Sequence, residues 1–369
     1  MAGGKGERLW PKSRRSLPKQ LLNFSGPGSL IQQTAARIAP LVPPELTFVI
    51  TGSEYAEASA RQLPGLPPEN ILVEPMGRNT APCVGLASVV LEHRYPGEDL
   101  VMVVLPADHV IRNDVSFREV LAAAISWAQA GPYLVTLGLW PTRPETGYGY
   151  IRMGEVLPPR PSEPGQLEAP LERVRTDGRA AYRVEAFIEK PNRIVAQRLL
   201  ADGRHLWNSG MFVWRLSVIR EEIAHHLPEL DQSLRRIARA WPTLQRQQVL
   251  RQEYDRMPSV SIDYGIMEKA ERIIVIPGDF GWDDAGSWTA LERLFAADDA
   301  GNVVQGKHVG LDTEDCIIYS EDKLVATIGL SGLVVVQAGD ALLVCPKERA
   351  QDVKQLLQRL KEEGRESYL

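Results

Sequence analysis

Asp99-Leu100-Val101-Met102-Val103-Val104-Leu105-Pro106-Ala107-Asp108-His109 carries the reading of the fold. The continuous apolar run, rich in β-branched residues, suits a strand covered on both faces, as in a parallel sheet flanked by helices. Pro106 and Ala107 end the strand and leave a carboxylate just past its C-terminal end. Ligands of open α/β sheets bind beyond those ends, so Asp108 is a candidate to hold a divalent cation through oxygen. An isolated aspartate at this place also serves as the cap of a following loop or helix.

Working outward, helix and strand patterns alternate. Residues 29–39 place Leu30, Ile31, Thr34, Ala35 and Ile38 on one helical face, and Leu46 to Thr51 is a β-rich run. A helix is expected over Thr80 to Arg94 and another over Phe117 to Ala130. Strands are expected over Tyr133 to Leu139, Ala181 to Ile188 and Met211 to Arg215. Residues 154–178, rich in Pro, Glu and Arg, read as a surface excursion. Residues 216–256 read as helical, broken at Pro228 and Pro242. The alternation predicts an α/β, Rossmann-like domain over residues 1–300 with a mixed, mostly parallel sheet.

Beyond residue 300 the pattern changes. Val303 to Val309, Cys316 to Ser320, Lys323 to Ile328, Leu333 to Gln337 and Ala341 to Cys345 are short β-prone runs separated by Gly, Asp and Asn. They predict a small, β-helix-like unit over residues 301–369, closed by an amphipathic helix from Arg349 to Glu362.

At 369 residues, 44% apolar and 24% charged, the chain has room for this two-part plan. A net charge of -5 offers no general attraction for nucleic acid or an anionic membrane surface. The apolar run around Val103 is far shorter than the roughly 20 residues of a membrane helix. The three cysteines, Cys83, Cys316 and Cys345, are too scattered for a disulfide framework or a zinc site, and a cytoplasmic location is expected.

The N-terminal stretch Ala2-Gly3-Gly4-Lys5-Gly6-Glu7-Arg8-Leu9-Trp10-Pro11, with Pro18-Lys19-Gln20, reads as an anion site. Gly3, Gly4 and Gly6 let backbone N–H groups converge on phosphate oxygens. Arg8 adds a planar fork and Lys5 and Lys19 add mobile charges. The stretch lacks the Gly-Lys-Ser/Thr of a Walker A loop and the third glycine of the dinucleotide fingerprint. Glu74-Pro75-Met76-Gly77-Arg78-Asn79-Thr80 combines donors and acceptors suited to a purine, although Asn79 or Thr80 also serves as a helix N-cap. Gly281-Trp282-Asp283-Asp284-Ala285-Gly286-Ser287-Trp288 is a stiff acidic turn whose repulsion a cation would relieve. Gly149, Glu189, Lys190 and Asn208 fall at the edges of expected strands, where they can meet sugar hydroxyls and a monophosphate.

In this order the motifs resemble those of the sugar-nucleotide pyrophosphorylases, most closely the bacterial mannose-1-phosphate guanylyltransferases. The resemblance rests on G-G-x-G-x-R-L-W-P, G-R-N-T-A-P, L-P-A-D-H, G-Y-G-Y-I, E-K-P, W-N-S-G-M-F, Ser261-Ile262-Asp263-Tyr264 and G-W-x-D-x-G-S-W. Gln351-Asp352-Val353-Lys354 extends it to the C-terminal unit. It implies GTP and mannose 1-phosphate as substrates and Mg²⁺ as cofactor. Gly3, Gly4, Gly6, Arg8 and Lys19 would then hold the triphosphate, and Glu74, Arg78, Asn79 and Thr80 would lie near the guanine. Asp108 and Asp284 would hold Mg²⁺, while Gly149, Glu189, Asn208 and Asp263 would meet the sugar and Lys190 its phosphate. A homodimer is expected, with the C-terminal unit as its element.

Two departures accompany the resemblance. Relatives carry a short apolar strand before Ala-Gly-Gly where this chain has Met1, and a start placed too late is the favoured explanation. Many relatives continue into an isomerase domain, and no isomerase activity is expected here. The alternatives are a transferase for another base or hexose 1-phosphate, and a non-catalytic nucleotide-sugar sensor of the same fold.

Overall fold

The computed structural model describes residues 1–24, 26–157 and 179–369. In chain order the first part comprises α1 (Leu30–Ile38), β1 (Val49–Gly52), α2 (Ser53–Gln62), β2 (Ile71–Glu74), α3 (Thr80–Arg94), β3 (Val101–Val104), β4 (Val110–Ile111) and α4 (Asp114–Ala130). It continues with β5 (Leu134–Leu139), β6 (Tyr150–Leu157), β7 (Ala181–Ile188), α5 (Arg193–Asp202), β8 (His205–Arg215), α6 (Leu216–His226), α7 (Pro228–Ala240), α8 (Arg246–Arg256), β9 (Ile273–Gly278) and β10 (Trp282–Asp283).

Local chemistry sets the boundaries. Ser29 and Gln32 form a reciprocal capping box that starts α1, and the Asn113 side chain accepts from the Ser116 N–H to start α4. Pro228 stands in the first turn of α7, where its missing N–H costs nothing, so the helical stretch breaks there as expected. Gly154 to Leu157, expected within a surface excursion, instead continue β6. The rest of that expectation, residues 158–178, lies outside the described residues.

The main sheet has six strands in the order β3-β8-β5-β9-β7-β6, with β6 also pairing to β8. It is mixed, but the expectation of mostly parallel pairing needs correction. Among the described residues β5–β9 is its parallel ladder, and the other ladders are antiparallel. The antiparallel ladders come from β6, β7 and β8, which pair with one another and with β3, β5 and β9. A separate parallel pair, β1–β2, stands to the side.

Met1 and Ala2 join the two sheets. The Met1 amino group donates to the Leu105 carbonyl (2.9 Å), and the Ala107 N–H to that of Met1 (3.0 Å). The Ala2 N–H reaches the Ile50 carbonyl on the other side (2.8 Å). These two residues thus occupy the line between β1 and β3, and behind them an apolar cavity of about 790 Å³ separates those strand edges, lined by Ile31, Phe48, Ile50, Val84 and Val103.

Helices cover both faces. On one, α3 lies buried along its length against Trp214, Ile219 and Ile237. A Cβ on Gly85 would lie 2.6 Å from a methyl of Leu234, so α7 packs directly on the backbone of α3. On the other face α4 packs Phe117, Leu121 and Ile125 with Val135, Leu137 and Ile276.

The C-terminal unit comprises β11 (Val303–Gln305), β12 (His308–Leu311), β13 (Ile317–Ser320), β14 (Val325–Ile328), β15 (Leu333–Ala338) and β16 (Ala341–Pro346), then α9 (Val353–Glu362). The ladders β11–β13–β15 and β12–β14 are parallel, so successive turns of chain stack as a short β-helix. The single strand expected over Val303 to Val309 is split at Gly306, whose φ of +105° turns the corner and whose Cβ would collide with the Ser320 carbonyl. Leu9, Trp10 and Phe24 of the N-terminal segment share one core with Trp288, Ile317, Val334 and Val353. The C-terminal unit is thereby fastened to the glycine-rich loop.

Candidate active site

The glycine loop passes over the C-terminal end of the sheet. Gly6 has a φ of +65°, and a Cβ there would lie 2.4 Å from Lys19 Cβ, so the loop and the Lys19 segment close on each other only with glycine present. Gly3, Gly4 and Lys5 are exposed. The Ala2 carbonyl accepts from Gln20 Nε2 (2.7 Å) and Thr51 Oγ1 (2.9 Å), which fixes the start of the loop. Arg8 Nη1 donates to Gln351 Oε1 at 2.8 Å.

Lys19 is buried and points under the loop. Its Nζ donates to Asp108 Oδ2 at 2.9 Å and to the backbone carbonyl of Asp284. The pairing of β4 with β10, Val110 opposite Asp283, brings the acidic turn beside Asp108. Burial works to raise the Asp108 carboxyl, but the charge of Lys19, aided by His109 and the Lys19 hydrogen bond, holds it down to about 2. Burial also lowers His109, against the opposing charge of Asp108. His109 Nδ1 accepts from Trp282 Nε1 at 3.0 Å.

The two neighbouring aspartates divide their tasks. Asp283 accepts from the Ala285 N–H (2.7 Å) and pairs with Arg293, so it holds the turn. Asp284 Oδ1 accepts from the Tyr148 hydroxyl at 2.7 Å. Burial and the Asp284 charge keep that phenol neutral by raising it further. Among the described residues no group of three or more His, Cys, Asp or Glu gathers as a metal cage. Hard oxygen donors from Asp108 and Asp284 beside a phosphate loop instead suit a cation such as Mg²⁺, which keeps one or two carboxylates and takes its remaining ligands from phosphate and water.

The residues expected at the sugar come together from four separate elements. Asn208 Nδ2 donates to Asp263 Oδ1 at 2.6 Å, and the Asn208 N–H to the Gly149 carbonyl at 2.8 Å. A Cβ on Gly149 would stand 2.3 Å from Glu189 Oε2, so glycine leaves that carboxylate its place. Lys190 Nζ pairs with Glu189 Oε1. Burial raises the Asp263 carboxyl, with a contribution from Glu189 and opposition from Asn208 and Lys190. Tyr148, held by Asp284, directly precedes Gly149, so one dipeptide connects the Asp108–Asp284 end of the site to this cluster.

The run expected at the base is placed differently. Arg78 donates from Nε to the Tyr254 carbonyl (2.8 Å) and from Nη2 to that of Asp255 (2.6 Å), and Thr80 Oγ1 accepts from the Ile262 N–H (2.8 Å). These two side chains are buttresses that tie the turn to the end of α8 and the segment after it. Asn79 has a φ of +70° and its Oδ1 accepts from the Thr80 N–H, which is the cap weighed in the sequence. Glu74 is buried beneath Gly3, 3.2 Å from the Tyr254 hydroxyl. Burial pushes its carboxyl up to about 7 against that hydrogen bond and the charge of the chain's amino group.

Three side chains at the site escaped the sequence reading: His109, Tyr148 and Gln351. The motifs that contain them were visible, but nothing in one chain's sequence told the aromatic ring of Gly-Tyr-Gly-Tyr from a core residue, or brought Gln351 across to Arg8.

Comparison with known proteins accords with this geometry. A model of the nucleotidyl transferase family matches residues 1–301, and one of the MannoseP isomerase/GMP-like beta-helix domain matches residues 306–360. The chain is 39% identical over 371 residues to the mannose-1-phosphate guanylyltransferase of Escherichia coli K12, covering 100% of this chain and 74% of that protein. It is 38% identical to the xanthan biosynthesis protein XanB of Xanthomonas campestris, with 99% and 73% covered. A crystal structure from Thermus thermophilus, described as a mannose-1-phosphate geranyltransferase, superposes with a TM-score of 0.81 at 41% identity and 98% coverage of each chain. Two family models that together span residues 1–360 and relatives similar along the whole length place it: the chain belongs to the nucleotidyl transferase family, in the branch that carries the MannoseP isomerase/GMP-like β-helix domain.

Proposed function

We propose that the protein is a mannose-1-phosphate guanylyltransferase that converts GTP and α-D-mannose 1-phosphate to GDP-mannose and diphosphate. The observation that carries the reading is the continuity of two clusters, Lys19–Asp108–Asp284 under the glycine loop and Gly149–Glu189–Lys190–Asn208–Asp263 beside it, joined through Tyr148. The full-length likeness to enzymes of that name supports it.

A phosphate monoester is already an anionic nucleophile, so no side chain needs to take a proton from it. The barrier lies in bringing anions together and aligning them. In this reading the backbone of Gly3, Gly4 and Gly6 cradles the triphosphate, with Arg8 and Lys19 as cationic donors. Glu74 and Asn79 meet the guanine on a turn braced by Arg78 and Thr80. Glu189, Asn208 and Asp263 hold the sugar hydroxyls, and Lys190 steers the sugar phosphate toward the α-phosphorus. Its oxygen bonds to that phosphorus as the bond to the β-phosphate oxygen breaks, and pyrophosphate departs with the electron pair. Mg²⁺, held by Asp108 and Asp284, would screen the negative charge of the phosphates. Neutral His109 orients Trp282 and thereby the acidic turn.

Two further parts belong to the proposal. The enzyme works in the cytoplasm; among the described residues no helix is long and apolar enough to cross a membrane. It pairs as a homodimer through the C-terminal unit, where Val309, Leu311 and Ile328 are exposed on the paired strands β12 and β14.

The test is pyrophosphate release with mannose 1-phosphate and each of GTP, ATP, UTP and dTTP, with and without Mg²⁺. Release with GTP and Mg²⁺ alone is expected. Release with another nucleotide would move the base assignment, and no release with any would leave a binding protein of the same fold.

A further inference from the structure

Tyr148 presents its hydroxyl to the candidate site on a fixed ring. The ring is buried, edge-on to Trp207 and to Trp282 with centroids 5.3 and 5.1 Å away. The Arg143 guanidinium lies over it, 5.6 Å from the centroid, and over Trp207 at 4.8 Å. Glu145 keeps Arg143 there: its Oε2 accepts from Arg143 Nε at 3.1 Å, and its Oε1 from the Gly147 N–H at 3.1 Å. A phenylalanine would fill the same space, so packing alone does not explain the hydroxyl.

The hydroxyl gives its one proton to Asp284 Oδ1 at 2.7 Å, while Arg143 Nη2 donates to the phenol oxygen at 3.3 Å. The Gly286 N–H donates to the same Oδ1 at 3.2 Å. Oδ1 is thereby committed to the protein, and among the described residues Asp284 Oδ2 accepts no hydrogen bond. Gly286 leaves that oxygen its place, since a Cβ there would lie 2.7 Å from it. Asp108 is divided in the same way. Its Oδ2 takes the Lys19 ammonium at 2.9 Å, and its Oδ1 is 3.9 Å from His109 Nε2, beyond hydrogen-bond reach. Each aspartate keeps one oxygen anchored and one open.

We propose that Tyr148 is a positioning residue for the cation site: by holding Asp284 Oδ1 it leaves Oδ2 as the oxygen offered to a divalent cation beside Asp108. The cation assignment itself rests on the transferase reading above. The open oxygens, Asp284 Oδ2 and Asp108 Oδ1, are then the ligand atoms, and Arg143 holds Tyr148 in line by donating to its oxygen. A carboxylate whose second oxygen is already hydrogen-bonded binds through one oxygen, the mode that suits an octahedral site shared with phosphate and water. Without the phenol, Asp284 is freer to rotate, and fixing it again on binding costs affinity.

The probe is Mn²⁺, which takes the same octahedral oxygen sites as Mg²⁺, and its binding to the full chain is read by electron paramagnetic resonance in the wild type and in Tyr148→Phe. The dissociation constant should rise about 10-fold or more in the variant. The phenylalanine ring stays between Trp207 and Trp282, so the melting temperature without metal should match that of the wild type. In turnover, the Mg²⁺ concentration that gives half the maximal rate should rise by the same factor, and added Mg²⁺ should restore the rate. An unchanged Mn²⁺ affinity in folded Tyr148→Phe overturns the proposal. A loss of rate that added Mg²⁺ leaves in place would put the hydroxyl on substrate and overturn it too. A wild type that binds no Mn²⁺ removes the cation site and the positioning role with it. If the wild type binds Mn²⁺ yet turns over no substrate, the transferase reading fails, and the Mn²⁺ comparison still decides the part played by Tyr148.

Discussion

Lys19 Nζ lies 2.9 Å from Asp108 Oδ2 and donates at the same time to the carbonyl of Asp284, so one buried ammonium ties together both aspartates assigned to the cation. The same Lys19 is pinned from above by Gly6. Removing it leaves the Asp108 carboxylate without its counter-charge.

Lys19→Ala should therefore lower kcat/KM by about 100-fold or more, since breaking a buried pair by removing one partner costs about 3–5 kcal/mol. The acid limb of stability should move as well. With Asp108 held at about 2, below the ordinary carboxylate value, its stabilising effect is present above roughly pH 4 and is lost as pH falls through 2. In Lys19→Ala that loss should begin at higher pH, read by circular dichroism in an acid titration. A variant that unfolds along the wild-type curve would show that the pair contributes nothing.

Glu74 has the opposite sign. Burial raises its carboxyl to about 7 in the folded chain, so its neutral form favours folding below the unfolded value of roughly 4.3, and that advantage is lost as pH rises through 7. Between pH 5 and 8 the cost grows to about 3 kcal/mol. The melting temperature of the wild type should fall over this range, and Glu74→Gln, which cannot ionise, should flatten the slope. Equal slopes by calorimetry would remove Glu74 as the cause.

Much of this was legible in the chain. The run from Val101 to Leu105 and the alternation around it announced the α/β domain, because burial on both faces needs continuous apolar residues whatever the topology. Strand direction was not legible: β6 to β8 have the same composition whether they pair parallel or antiparallel, and only their tertiary pairing decides. At the candidate site, Asp108, Asp284, Gly149 and Asn208 were singled out by their motifs, and the fold brings them into two neighbouring clusters. The internal commitment of Arg78 and Thr80 was hidden, since their partners, the Tyr254 carbonyl and the Ile262 N–H, are backbone groups some 180 residues away, and any sequence supplies both.

The exposed apolar side chains of the β-helix have a measurable consequence. Val309, Leu311 and Ile328 are each more than half exposed on neighbouring strands, and a shared interface would bury them. Leu311→Asp with Ile328→Asp should convert the homodimer to a monomer in sedimentation analysis without loss of helix or strand signal. A wild type that sediments as a monomer would end the dimer proposal.

Lys190 separates sugar-phosphate binding from nucleotide binding. It sits at a φ of +47°, and its ammonium pairs with Glu189. Burial works to lower its pKa, but the Glu189 hydrogen bond and the charges of Glu189 and Asp263 outweigh this and raise it above the ordinary lysine value, so the group is cationic at neutral pH. Lys190→Ala removes a charged hydrogen bond worth roughly 1.5–3 kcal/mol, which predicts about a 10- to 100-fold drop in kcat/KM. The loss should fall on mannose 1-phosphate, because the ammonium lies in the Gly149–Asp263 cluster and not under the glycine loop, and the KM for GTP should be preserved. The profile should show no new ionisation below pH 9, since the wild-type group does not titrate there. A loss shared equally by both substrates, or one smaller than about 5-fold, would take Lys190 out of the sugar-phosphate site.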